Sequence, residues 1–149
     1  MGAYHGFGQD TSTASTTIIQ LKQPATALKR IKIGYLQIGS DASADNAYEA
    51  ALQKTTTGGT PGSTFTAIAR DPADGAASGV FNVAHSAEPT YTANAVHLPI
   101  FGHQRSTFQW YAAPGHEIVI PVTNDAGVGL VINTAATAFN MGAAMEWEE

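Results

Sequence analysis

The sequence predicts an all-β fold, an antiparallel β-sandwich of jelly-roll-like type with an extended N-terminal arm, and three observations predict it. Short runs rich in β-branched and aromatic residues alternate with turn clusters, at roughly the 8–12-residue spacing of sandwiches and barrels. Several of these runs alternate apolar and polar residues, which is the period of a half-buried strand. No helical period is sustained beyond about ten residues, and no repeat of fixed length is present. Strand order is not legible in a single sequence, so the jelly-roll connection is one choice among Greek-key options.

Residues 1–14 mix Gly, Ser, Thr and single aromatics without a sustained period, which reads as an arm ahead of a sandwich domain over 15–149. Fully extended, such an arm reaches on the order of 45 Å. The first strand is expected over 15–22. The next, over 28–38, has Ile31, Ile33 and Tyr35 on one parity and Leu36 and Ile38 on the other, so a bulge near Gly34 is expected to switch the faces. Tyr48, Ala50 and Leu52 alternate with Glu49, Ala51 and Gln53; a strand is preferred there, with a short helix over 45–54 as the alternative. Residues 55–62 form a Gly- and Thr-rich loop, 64–69 resume a strand, and Asp71-Pro72-Ala73-Asp74-Gly75 is a turn. Val80, Phe81 and Val83 open another strand, which Glu88-Pro89 ends because proline has no N–H to donate. Further strands are expected over 95–101, 105–113, 117–123, 127–134 and 138–148, for roughly eight to ten in all. Ile118, Ile120 and Val122 share one face, as do Phe139, Met141, Ala143, Met145 and Trp147, and these residues are assigned to the core.

Composition narrows the function classes. Hydrophobic residues make up 44% of the chain but charged residues only 13%, about half the usual ~25%, so Thr, Ser, Asn, Gln, Gly and Ala must cover the surface. Hydroxyls and amides lose less hydration than ions when a partner covers them, which favours broad protein contacts. Seven Lys and Arg stand against twelve Asp and Glu, a net charge of −5, which argues against nucleic acid as a partner. Lys29, Arg30 and Lys32 form the one basic cluster, read as a solvated strand face or as ion-pair partners. The absence of cysteine excludes disulfides, thiolate catalysis and Cys-based zinc sites. No stretch of about 18 apolar residues is present, so no membrane partner is expected.

The motifs of four common enzyme classes are missing: there is no GxSxG elbow, no phosphate-binding GxxxxGK[ST], no HExxH and no GxGxxG opening a helix. The five histidines, His5, His85, His97, His103 and His116, show no HxH or HxxxH spacing; a hairpin at Pro99-Ile100-Phe101-Gly102 is the one way to bring His97 near His103. Asp41, Asp45, Asp71, Asp74 and Asp125 sit in turn-like contexts and are read as turn caps. Phe108 and Trp110 are read as core residues, with Tyr111 on the opposite face. No catalytic, cofactor or metal residue is assigned. Partner contacts are expected at Tyr4 and Phe7 of the arm and at Thr57, Gly58, Asp71 and Asp74 of the loops, because strands serve a sandwich's own core and leave recognition to loops and termini.

Glu88-Pro89-Thr90-Tyr91-Thr92-Ala93 with the following Asn94 to Leu98, Gln104-Arg105-Ser106-Thr107-Phe108-Gln109-Trp110, Ala112-Ala113-Pro114-Gly115-His116-Glu117 and Glu146-Trp147-Glu148-Glu149 carry a likeness. With Tyr48-Glu49-Ala50-Ala51-Leu52 and Asp71-Pro72 in order upstream, they resemble a group of small tailed-bacteriophage virion structural proteins. The resemblance implies a capsid decoration, or cement, protein, made in the host cytoplasm and seated on the capsid surface. Its partners would be the major capsid protein and other copies of itself, as a homo-oligomer and specifically a trimer. It carries over no catalytic residue and no cofactor. The competing expectation is a host-recognition or carbohydrate-binding β-sandwich module on a head spike or tail.

Overall fold

The computed structural model describes residues 1–26, 28–43, 45–135 and 137–149. Those residues form twelve strands and no helix: β1 (Ala3–Ser12), β2 (Thr16–Lys22), β3 (Ile31–Ser40), β4 (Ala47–Thr55), β5 (Thr60–Phe65), β6 (Ile68–Ala69), β7 (Val80–Ala87), β8 (Tyr91–His103), β9 (Phe108–Tyr111), β10 (Ile118–Ile120), β11 (Gly127–Ala135) and β12 (Phe139–Glu148). The strands make two antiparallel six-stranded sheets that pack face to face over a shared core, so the chain is an all-β sandwich. Sheet I runs β10-β3-β12-β1-β6, with β9 also paired to β3; sheet II runs β5-β7-β2-β11-β4-β8.

The pairing is nested. β1 pairs with β12, β2 with β11, β3 with β10 and β4 with β8. The intervening strands lie at the margins: β7 and β5 extend sheet II beyond β2, and β6 extends sheet I beyond β1.

Period-2 patterning explains most of the core. In β12 the residues Phe139, Met141, Ala143, Met145 and Trp147 are all buried while their neighbours are more open. Trp147 lies between two rings, stacked on Phe81 at 5.7 Å between centroids and on Tyr4 at 6.1 Å. In β3 the expected bulge is present: Trp147 faces Ile33 and Glu146 faces Tyr35, which leaves Gly34 as the extra residue. The bulge puts Ile31 and Ile33 inward before it and Leu36 and Ile38 inward after it. Residues 47–55 form a strand, β4, with Tyr48, Ala50 and Leu52 buried.

The N-terminal segment corrects the sequence reading. Residues 3–12 are a ten-residue strand held along its whole length by β12, with β6 on its other side. Tyr4, Gly6 and Gly8 take its inward positions. A Cβ on Gly6 would meet the Phe81 ring at 2.8 Å, and one on Gly8 would run into the Val83 side chain. The missing side chains therefore let Phe81 and Val83 of the facing sheet fill the space, the close approach that a strand glycine permits. Glycine leaves no hydrophobic mark at these positions, so the alternation that identifies a strand is silent.

Three smaller differences have local causes. Val122 is 55% exposed because β10 stops at Ile120, just before Pro121. The strand expected over 105–113 is only Phe108–Tyr111, since Ser106 turns back to bond the His103 carbonyl at 3.0 Å. Pro99 to Gly102 form no hairpin: β8 runs straight through them, which sets His97 and His103 about 20 Å apart along one strand.

Candidate interaction surface

The structure separates the residues expected to meet a partner. Tyr4 is 3% exposed, inside the sandwich, with its hydroxyl donating to the Gly75 carbonyl at 3.1 Å; it ties down the 71–75 turn and offers nothing to a partner. Gly58 is buried against the Lys22 side chain. Thr57 is exposed, but its hydroxyl accepts the Thr90 N–H at 3.0 Å. Asp71 is exposed and accepts the Ala73 N–H at 2.8 Å, the turn-capping role expected of it, and Asp74 is half-buried with its N–H bonded to the Asp71 carbonyl. Phe7 stays on the outside, 53% exposed, its ring 4.7 Å from Phe65.

The outer face of sheet II is largely closed by its own chain. The Tyr91 hydroxyl lies 2.7 Å from Thr17 Oγ1, and the Tyr91 side chain fills the space above Gly129. Burial raises the Tyr91 pKa well above the ordinary phenol value, so this hydroxyl keeps its proton. Beside it, fully buried Gln20 donates to Thr55 Oγ1 and to the Thr57 carbonyl, each at 3.0 Å. Gln20 Oε1 accepts from Asn82 Nδ2 at 3.3 Å and lies 3.4 Å from His85 Nε2. His85 Nδ1 is buried without a hydrogen-bond partner among the described residues, and burial lowers the pKa of this imidazole.

Two outward surfaces remain. The first is the β8 edge of sheet II. Between Glu88 and Arg105 the sequence holds no charged residue, and β8 occupies 13 of those positions. Phe101 is 76% exposed and Val96 is 44% exposed, opposite Glu49 and Gln53 of β4 respectively. Sheet I ends differently. Its margins are the two-residue β6, followed directly by Arg70, and, on the free side of β3, the four-residue β9 and the three-residue β10, the latter preceded by Glu117. Short strands, flanking charge, proline and bulges are the usual protections against edge-on association; β8 is long and without Lys, Arg, Asp or Glu, but is interrupted by Pro99 and by two register shifts against β4.

The second surface is the outer face of sheet I, where a groove of about 450 Å³ lies along β12. Cross-strand register sets its rows: Gln9, Gly142 and Gly39 lie side by side, and next to them Phe7, Ala144, Gln37 and Gln109. Asn140 closes one end, its amide held by Thr11 Oγ1 at 3.1 Å and by Asp41 Oδ2 at 3.2 Å. Beyond the other end stand the Tyr35 and Tyr111 rings, 4.7 Å apart, and the Arg70–Glu146 ion pair. Neither Phe101 nor the groove was singled out from sequence. The charge gap from 89 to 104 is a readable signal for the first; the second depends on register across four strands, which carries no local mark.

Among the described residues no group of three or more His, Cys, Asp or Glu side chains is placed to hold a metal ion. Asp45 meets His103 at 3.3 Å, and Lys22 pairs with Asp125 at 2.6 Å. Lys29 of the basic cluster lies 3.9 Å from the buried Glu149 carboxylate, as an ion-pair partner. Among the described residues no helix is long and apolar enough to cross a membrane. Comparison with protein-family models, with curated proteins and with solved structures gives no match to this chain.

Proposed function

We propose that the chain is a virion structural protein, a capsid decoration protein of a tailed bacteriophage that sits on the head as a homotrimer and stabilises it. The observation that carries this reading is the β8 edge, a 13-residue uncharged strand with Phe101 and Val96 turned outward. Pro99 and the register shifts against β4 blunt this edge in part, yet Phe101 and Val96 stay exposed on it. A decoration subunit covers it with another copy, and a closed ring of copies leaves no such edge exposed. Attachment to the major capsid protein then gains from multivalency, since the second and third contacts of a trimer become intramolecular. The nested order β10-β3-β12-β1 over β2-β11-β4-β8 supports a jelly-roll assignment, with β5 to β7 as an insertion between its fourth and fifth strands. The reading uses no catalytic step, no nucleic acid, no membrane and no cofactor.

Sedimentation of the purified protein tests the assembly: a trimer is expected at micromolar concentration, and Phe101→Asp should release monomers that remain folded. A parent protein that is already monomeric, both free and on particles, would overturn the trimer. Copy number in purified phage tests the placement. Hundreds per particle fit a lattice-bound cement protein, and a handful would move it to a spike or tail.

A further inference from the structure

We infer that the groove on the outer face of sheet I is a binding site for a neutral oligosaccharide. The lining supplies the two kinds of contact such a ligand needs. Sugar rings present C–H faces that pack on aromatic rings, and hydroxyls that pair with side chains able to both donate and accept. Phe7 stands at the rim, half exposed, with its ring 4.7 Å from that of Phe65. Across the groove the Tyr35 hydroxyl donates to Gln37 Oε1 at 2.6 Å, which fixes the Gln37 amide and leaves its Nε2 hydrogens available. Gln9 faces it from β1, in the row that contains Gly142 and Gly39. Asn140 is fixed in turn by Thr11 and Asp41.

The ligand's charge follows from the same residues. Among the described residues, Asp41 is the only ionisable side chain lining the groove, and its carboxylate already accepts from Asn140. No Lys or Arg lines it, so an acidic polymer finds no counter-charge, and a cationic one finds a single carboxylate that is partly engaged. The groove, about 450 Å³, is shallow and open, so a chain-like ligand would lie along the sheet rather than inside a cavity.

The floor of the groove is formed by glycine. Gly39 and Gly142 both have ordinary extended backbone, so neither is needed for a left-handed turn. A Cβ on either would meet nothing closer than 3.9 Å. Packing of the fold does not require glycine here, unlike at Gly6 and Gly8, and what its absence would remove is the depth of the groove.

The site lies on the sheet opposite the one that carries the β8 edge, and the inference does not depend on the capsid reading. The test is calorimetric titration of the full-length protein with maltohexaose, cellohexaose, a β-1,3-glucan hexamer and a mannan pentamer. Hyaluronan hexasaccharide and hexalysine serve as charged controls, each probe at up to about 1 mM. At least one neutral probe is expected to bind. Gly142→Leu, which fills the floor, and Phe7→Ala, which removes the rim, should each weaken it by about tenfold or more, equivalent to roughly 1.4 kcal/mol. Val122→Ala, at an exposed position outside the groove, should leave it unchanged. Gly142→Ser is the milder variant should the leucine disturb the sheet, and thermal melting establishes that each variant is folded. Absence of binding by all four neutral probes, preference for either charged control, or equal binding by folded Gly142→Leu would overturn the site. So would a change of oligomeric state in Gly142→Leu, because the face would then be an interface between copies.

Discussion

Trp147 is 2% exposed and pressed between Phe81 and Tyr4, so it joins the two sheets through one side chain. Trp147→Ala should lower stability by about 3–5 kcal/mol, read from urea unfolding, because the space left between the two rings cannot collapse fully. Gly8 gives the opposite test. Gly8→Val forces a branched side chain against Val83 and Ile19, and overpacking should cost about 1–3 kcal/mol. The histidines make stability depend on pH. Burial is the leading cause that holds His5, His85 and His97 below their ordinary value of 6.5. Between the lowered folded values and 6.5 the unfolded chain binds more protons than the folded one, so stability is highest above that window and falls as the pH drops through it. The urea midpoint should therefore decline from pH 7.5 towards pH 5. His85→Gln, which keeps a donor towards Gln20, should flatten that decline; an unchanged slope would clear His85 of the effect.

At the level of elements, β1 decides how the N-terminal segment behaves. Deleting residues 1–14 removes one of the two partners of β12 along its whole length and uncovers Trp147, so the truncated chain should lose its cooperative melt and become protease-sensitive. Had the segment been an arm, the same truncation would have left the sandwich intact. The contrast shows what can be read from sequence here. β12 was legible because its inward positions are large and its outward ones small or polar, and the β3 bulge was legible because the apolar parity changes across Gly34. β1 was not, because its buried residues after Tyr4 are Gly6, Gly8 and Ser12, none of them apolar and large, and the burial of the glycines depends on Phe81 and Val83 of the facing sheet. The ends of β9 and β10 were overextended for a related reason: turn bonds at Ser106 and the proline at 121 cut the ladder although apolar residues continue. Of the candidate contacts, Phe7 could be recognised as an aromatic without a helical or strand partner in sequence. The groove beside it could not, because it combines residues near positions 9, 37 and 142 through register alone.

Taken whole, the molecule is dominated by pairings between distant parts of the chain, and the outermost joins Gly2 to Glu149. Such a topology must close long loops before it gains contacts, so refolding from urea should fall in the millisecond-to-second range of β-sandwiches rather than the microsecond range of helical bundles. Stopped-flow tryptophan fluorescence follows it directly, since Trp147 is buried only once β1, β7 and β12 have met. The same closure bears on how the protein carries mechanical load. Gly2 and Glu149 exchange a pair of backbone hydrogen bonds, each 3.0 Å, at one end of the β1–β12 ladder. Tension applied through the two ends would peel that ladder one rung at a time, and would need little force. A load entering through the flank of β8 or across the face of sheet I would have to shear many rungs together. Gripped by its sides, the domain is thus far stronger than when it is pulled by its ends.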